Sequence, residues 1–151
     1  MDSNNTNGVA TDIVTYEGEQ YKAIPYAPKY YVSRSGQVLS KKGRQPRIIK
    51  PESTRVYYRA VLRIGGCNVH YAVHRLVAEM YLPKPLNPTG EELEVHHVNY
   101  DSKDNRVENL IWLPRSVHRA LHIEYRKQQR LLQQQGQQQP QARKPRKRKV
   151  A

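Results

Sequence analysis

The chain has 151 residues, and its 26 Lys and Arg side chains against 13 Asp and Glu give a formal net charge of +13. This length predicts one folded domain with tails, and no run approaches the about 20 consecutive apolar residues of a membrane-spanning helix. The single cysteine, Cys67, excludes an internal disulfide and a cysteine-based zinc site, and the polar start predicts no secretory signal. We therefore expect an intracellular protein.

The charge is distributed unevenly along the chain. Residues 1–20 carry four acidic and no basic side chains, whereas residues 126–151 carry nine basic and no acidic ones. The middle, residues 21–125, has 17 basic and nine acidic side chains. A basic core followed by a basic tail is typical of proteins that bind a polyanion, with nucleic acid the first candidate. The alternative is a solvated basic surface.

The first half of the chain has the pattern of β-strands followed by one helix. Residues 1–20 are polar and Asn-rich, and we expect a disordered leader there. The residues Arg34–Gly36 and Gly65–Cys67 predict hairpin turns. The spacing of apolar residues predicts a helix over Val73–Leu82, which Pro83 ends. The predicted strands are Tyr30–Ser33, Gln37–Ser40, Arg47–Lys50, Val56–Ile64 and Asn68–Val73.

The second half predicts two strands and a helix. Strands are expected at Leu93–Val98 and Asn109–Leu113, and a helix from about Arg115 to about Leu132. The fold class is therefore α+β: a small N-terminal β-rich segment is followed by a ββα module, and the tails are disordered. The predicted divisions are 1–20 (leader), 21–83 (β-rich segment with helix), 84–132 (ββα module) and 133–151 (Gln-rich and basic tail).

Four of the six histidines lie within 27 residues of this second half. On the predicted helix, His118 and His122 are four residues apart, so both lie on one face and can bind one metal ion. His96 can supply a third ligand, which leaves the open coordination position of a catalytic site. His97 then remains free to act as a base. The alternative is a structural zinc site with His97 as the fourth ligand.

These residues also carry a family resemblance. The segment at 96–112, HHVNYDSKDNRVENLIW, with two histidines beyond it, resembles the motif of HNH endonucleases, especially phage and intron-encoded homing enzymes. The upstream segment at 30–40, YYVSRSGQVLS, resembles one that often precedes such modules. The resemblance spans about Tyr21–His122. It implies a ββα-metal nuclease module behind a DNA-binding segment.

The resemblance also implies roles for individual residues. His97 matches the general base, and Asn109 matches the residue that orients this base. His96 and His118 match metal ligands, and His122 resembles the third histidine of the colicin DNases. A divalent metal is implied, namely Mg²⁺, Mn²⁺ or Zn²⁺; an all-imidazole shell favours a transition metal such as zinc.

Basic side chains interleaved with tyrosines predict a DNA-binding surface between Lys29 and Arg63, and two arginines flank the metal-binding helix. Alternation in the strand from Arg59 to Arg63 predicts cations on one face and core on the other. The basic run at 144–149 can serve as a nuclear import signal or as a DNA-binding arm. The DNA-binding candidates are Arg34, Lys41, Lys42, Arg44, Arg47, Arg59, Arg63, Arg115 and Arg119.

The resulting expectation is a metal-dependent endonuclease that nicks or cuts double-stranded DNA. The alternatives are a non-catalytic, zinc-stabilised DNA-binding protein and, third, an RNA-directed or packaging protein. We expect Asp101, Asp104 and Asn105 to stabilise a turn rather than to take part in catalysis. His70 and His74 are expected to be structural or to face DNA.

Overall fold

The computed structural model describes residues 12–87 and 90–137. The basic run at 144–149, the tail from residue 138 onward and the first eleven residues of the predicted leader lie outside the described residues. Within the described ranges the chain forms three antiparallel sheets and two α-helices, which confirms the α+β class. Neither of these helices is long and apolar enough to cross a membrane.

Five strands pair in chain order in the first sheet. They are β1 (Ile13–Tyr16), β2 (Glu19–Ile24), β3 (Ala27–Ser33), β4 (Val38–Ser40) and β5 (Arg47–Ile48). The second half of the predicted leader is therefore structured, and our expectation of disorder over all of residues 1–20 is wrong. The backbone explains the difference, because Glu17 and Gly18 have φ of 49° and 82° and form the two-residue turn that joins β1 to β2.

The second sheet contains β6 (Glu52–Ser53), β7 (Tyr58–Ile64) and β8 (Cys67–Ala72). Burial alternates along β7 as the sequence predicted: Ala60 and Leu62 are 1% and 0% exposed, whereas Arg63 is exposed. This alternation arises because successive side chains of a strand point to opposite faces.

Helix α1 (Val73–Tyr81) follows β8 directly and packs its apolar stripe into the core. Its buried side chains are those of Val73, Leu76, Val77 and Ala78. The helix ends one residue earlier than predicted, and Leu82 donates a backbone hydrogen bond to the Ala78 carbonyl at its end.

The ββα module consists of β9 (Leu93–His97), a polar turn, β10 (Leu110–Pro114) and helix α2 (Arg115–Gln137). A short 3-10 turn at Val107–Asn109 leads into β10. The helix continues beyond the predicted end at Leu132, so residues 133–137 do not belong to a disordered tail. Gln is a good helix former, and a Gln-rich run therefore extends the helix.

One hydrophobic core joins segments on both sides of the predicted division at 83/84. Val32 of β3, Leu62 of β7 and Leu76 of α1 belong to the same buried cluster as Val95 of β9 and Leu110 of β10. Residues 21–83 therefore do not form a separate core. The chain divides instead after Arg115, into a first unit that holds the strands and α1 and a second unit that begins at Ser116.

Candidate active site

Two adjacent histidines at the end of β9 face different partners. His96 and His97 are both buried, with 4% and 9% exposure. The His96 ring meets the Tyr100 ring edge-to-face, with the ring centroids 5.0 Å apart. The His97 ring meets the His74 ring in the same way, also at 5.0 Å. Neighbouring residues of a strand point to opposite faces, so the two rings do not compete for one site.

The ring of His97 is anchored by a buried amide. Its Nε2 lies 3.1 Å from Oδ1 of Asn105, which is 6% exposed. An amide oxygen only accepts, so Nε2–H is the donor, and in a neutral ring the lone pair is then on Nδ1. This tautomer leaves Nδ1 as the atom that can take up a proton.

Asn109 braces the turn that follows β9. Its Oδ1 accepts the backbone N–H of Asn99 at 2.9 Å, and its Nδ2 donates to Oδ1 of Asn99 at 2.9 Å and to the Asp104 carbonyl at 2.8 Å. The resemblance implied that Asn109 orients His97. In the structure the His97 ring forms its hydrogen bond with Oδ1 of Asn105 instead.

Asp101 and Asp104 stabilise this turn, as the sequence predicted. Oδ1 of Asp101 accepts the backbone N–H of Lys103 at 2.9 Å. The Asp104 carboxylate receives two hydrogen bonds from Arg106, both at 2.8 Å, and a third from the Asn99 amide. The Arg106 guanidinium, with help from Asn99, holds the pKa of Asp104 at about 2, below its ordinary 3.8.

Asn105 was assigned only a turn role from the sequence, and its contact with His97 was missed. The only signal in the sequence is the spacing of eight residues, which places Asn105 at the far end of the turn. His74 was expected to be structural or to face DNA. It lies between the rings of His97 and Tyr57, whose centroids are 5.0 Å and 5.5 Å from its own.

All three predicted metal ligands are candidates for holding a metal ion. On α2, His118 and His122 lie one turn apart, with ring centroids separated by 4.6 Å. His96, at the end of β9, is the third histidine of this candidate metal-binding group. Three imidazoles form a donor set that fits zinc or another transition metal.

Six of the nine predicted DNA-binding cations have no carboxylate partner within the described residues. The other three form ion pairs: Arg34 with Glu108 at 3.0 Å, Arg59 with Glu52 at 3.5 Å, and Arg115 with Glu92 at 3.1 Å. All nine are at least partly exposed. The six without a carboxylate partner are Lys41, Lys42, Arg44, Arg47, Arg63 and Arg119.

Two of these cations line a cleft in the first unit. Lys42 and Arg63 line it together with Lys29, Tyr30 and the glycine turn at 65–66, around a volume of about 290 Å³. Positive side chains around a concave surface favour an anionic group such as a phosphate. His70, by contrast, lies beside Glu52, with 3.2 Å between Nδ1 and Oε2.

Comparison with known proteins supports this interpretation of the site. Residues 71–120 match the family model described as HNH endonuclease. The matched range contains His74, His96, His97, Asn105 and Asn109, and it extends to the first histidine of α2. The match covers about one third of the chain and ends two residues before His122.

One curated relative and one solved structure are similar over a longer range. The chain is 30% identical over 101 residues to the H-N-H endonuclease F-TflII of Escherichia phage T5; the match covers 67% of this chain and 51% of the relative. The chain thus spans about half the length of that relative.

The solved structure is titled "DNA binding and cleavage by the HNH homing endonuclease I-HmuI". The match has a TM-score of 0.58 and 26% identity, and it covers 75% of this chain and 66% of the other. The sequence match, the shared fold and the grouped histidines agree. Over residues 71–120 the chain is therefore similar to HNH endonucleases.

Proposed function

We propose that this chain is a metal-dependent endonuclease that hydrolyses phosphodiester bonds of double-stranded DNA. It would nick one strand or cut both and leave 5′-phosphate and 3′-hydroxyl ends. The phage relative and the homing endonuclease support a homing-type enzyme. One observation carries the proposal: the adjacent rings of His96 and His97 have different partners, so His96 can bind a metal while His97 is anchored through Nε2.

In this proposal His97 is the general base. Its Nδ1 takes a proton from a water molecule, whose oxygen attacks phosphorus while the bond to the 3′ oxygen breaks. An imidazole suits this step because it exchanges protons near neutral pH. His74 and Asn105 contact the ring and keep it in one orientation.

The metal would be held by His96, His118 and His122. When bound, a divalent cation supplies positive charge that stabilises the phosphorane and the leaving 3′ oxygen. The all-imidazole donor set favours zinc or nickel over magnesium. Side chains of α2 would thus contribute two ligands, and β9 would contribute the third.

The DNA would be bound by the exposed cations of the first unit. Lys42 and Arg63, together with Lys29, surround a cleft of suitable charge for a backbone phosphate. Lys41 and Arg44 are exposed in the loop between β4 and β5, and the Lys41 ammonium lies over the Tyr31 ring. Contacts with phosphates position a duplex without reading its sequence.

A purely structural zinc site is disfavoured by the contacts of His97. As a fourth ligand, this histidine would have to direct a ring nitrogen to the metal. Nε2 of His97 is instead directed to Asn105.

The proposal is tested by incubating purified protein with supercoiled plasmid in the presence of Mg²⁺, Mn²⁺, Ni²⁺ or Zn²⁺. We expect open-circular or linear DNA with at least one of these metals and no product after chelation with EDTA. His97→Ala should lower the cleavage rate by about 10²- to 10⁴-fold, the contribution of a general base, and leave metal binding unchanged.

His70→Ala is the matched control, because His70 is an exposed histidine paired with Glu52 outside the site. It should cleave at the wild-type rate. A His97→Ala variant that loses its metal and unfolds would support the structural zinc site instead. A wild-type protein that binds DNA and metal but yields no product with any of the four metals would contradict the enzyme proposal.

A further inference from the structure

We propose that Asn105 is a positioning residue for His97 and that the turn at 33–37, which joins β3 to β4, holds Asn105 in place. This inference rests on the proposed role of His97 as the base. It gives a role in catalysis to the turn residue Asn105 and to the hairpin tip at Gly36, which lies 69 residues before Asn105 in the sequence.

The first step of the argument is the contact between Asn105 and His97. The two side chains are buried, and the 3.1 Å hydrogen bond between Nε2 and Oδ1 is therefore shielded from water. A second contact comes from the edge-to-face ring of His74. The imidazole is thus restrained both at Nε2 and over its ring.

The second step is the close approach of Gly36 to Asn105. A Cβ built on Gly36 would lie 2.9 Å from Cβ of Asn105 and 3.2 Å from its carbonyl oxygen. Such distances leave no room for a side chain. Gly36 also has φ of +90°, which other residues rarely adopt. The backbone of the hairpin tip therefore packs directly against Asn105, the residue that anchors His97.

Two further contacts fix the hairpin tip to the residues that follow Asn105. The backbone N–H of Val107 donates to the Arg34 carbonyl at 2.9 Å, and the Arg34 guanidinium pairs with Glu108 at 3.0 Å. The hairpin tip therefore contacts Asn105, Val107 and Glu108. Arg34 was predicted to bind DNA, and the structure gives it this internal contact.

The consequence is that removing the Asn105 amide should free the imidazole to rotate and to exchange tautomers. Asn105 is buried and belongs to the turn, so the loss should fall on kcat while KM for DNA changes little. A misplaced catalytic group costs on the order of 10²-fold in rate, and we expect Asn105→Ala to lower kcat by about 10- to 100-fold. Asn105→Asp keeps an acceptor oxygen and should stay within about threefold of the wild type.

The ring of His97 can also be observed directly, without DNA or metal. Nitrogen NMR of the imidazole at pH 8 should show the Nε2–H tautomer in the wild type and in Asn105→Asp. In Asn105→Ala we expect a mixture of both tautomers. A merely structural Asn105 would change stability and leave the His97 signals of the folded protein unchanged.

Gly36→Ala tests the second half of the proposal, and Gly18→Ala is its matched control. Both glycines have positive φ, +90° and +82°, so the backbone cost of alanine is similar, but nothing lies within 4 Å of a Cβ on Gly18. We expect Gly36→Ala to lower kcat and to shift the His97 tautomer. Gly18→Ala should do neither.

The outcomes separate this inference from the proposed function. Asn105→Ala with wild-type kcat and unchanged His97 signals overturns the inference even if the wild type cleaves DNA. A wild type that fails to cleave overturns the function, and the NMR comparison then still decides whether Asn105 holds His97. If Asn105→Ala does not fold, Asn105→Asp and Gly36→Ala provide the test. Full activity together with disturbed His97 signals in either variant contradicts the positioning role of Asn105.

Discussion

At the scale of single residues, the rings of two adjacent histidines lie on opposite faces of one strand. His96 and His97 are opposite Ile111 and Leu110 in the antiparallel pair of β9 and β10. Since successive side chains alternate, a ligand and a base can be neighbours in sequence without sharing a partner. A spacing of two would have placed both rings on one face.

The carboxylate of Asp104 should make the stability of the turn dependent on pH. Its pKa is about 2 in the folded chain, against an ordinary 3.8, because Arg106 donates two hydrogen bonds to it. The ionised group therefore stabilises the fold above pH 3.8. This contribution is lost as the pH falls from 3.8 to about 2. We expect Asp104→Asn to be less stable than the wild type at pH 6 and nearly equal to it at pH 2, as measured by urea unfolding.

Arg106→Ala is the complementary variant. This variant lacks the guanidinium but keeps the carboxyl group of Asp104. Its free energy of unfolding should therefore depend less on pH in acid than that of the wild type, as in Asp104→Asn. If Asp104→Asn is destabilised as strongly at pH 2 as at pH 6, the side chain of Asp104 contributes packing rather than charge.

At the scale of elements, the sequence predicted those element boundaries that depend on neighbouring residues. The strand at Leu93, the helix at Val73 and the start of the second helix at Arg115 were predicted within a residue or two, because apolar spacing and proline act over a few positions. β1 was missed since its turn, Glu17–Gly18, lacks the usual Asn-Gly signal.

The contacts around His97 could not be predicted in the same way. The approach of Gly36 to Asn105 joins two turns far apart in the sequence, and the interior packing of three sheets and α1 determines it. The sequence shows Gly36 only as a turn residue. The family resemblance implied that Asn109 orients His97, whereas Asn105 forms the hydrogen bond with the His97 ring.

Helix α1 should be held chiefly by its buried leucine. Leu76 is 1% exposed and belongs to the core cluster that also contains Leu62 of β7 and Val107 of the turn before β10. Truncating a buried leucine removes transfer free energy and leaves a cavity, so Leu76→Ala should lower the free energy of unfolding by about 2–5 kcal/mol. Urea unfolding measures this loss.

The neighbouring Arg75→Ala is the control for Leu76→Ala. Arg75 is exposed on the same helix, and its truncation should change the free energy of unfolding by less than about 0.5 kcal/mol. A loss below about 1 kcal/mol for Leu76→Ala would contradict the packing described for α1, since even shallow sites exceed it.

At the scale of the whole chain, the net charge of +13 would govern the encounter with DNA in the proposed function. Positive charge steers a polyanion toward the protein over a distance of about a Debye length, roughly 10 Å at 0.1 M salt. The ion-paired cations add little to this attraction. Arg34, for instance, is partly neutralised by Glu108, whereas Arg63 at the cleft has no carboxylate partner within the described part of the chain.

Binding of a short DNA duplex should therefore depend steeply on salt. If the six cations without a carboxylate partner each neutralise one phosphate, log Kd should change with log salt with a slope near five, and affinity should fall by about 10³-fold from roughly 50 to 200 mM salt. Arg63→Ala should reduce this slope by about one, because one counterion fewer is released. Arg34→Ala is the matched control and should leave the slope nearly unchanged, since its guanidinium is bound to Glu108. Fluorescence anisotropy at several salt concentrations, without metal, measures both slopes. Equal slopes for the two variants would show that ion pairing within the protein does not select the cations that contact DNA.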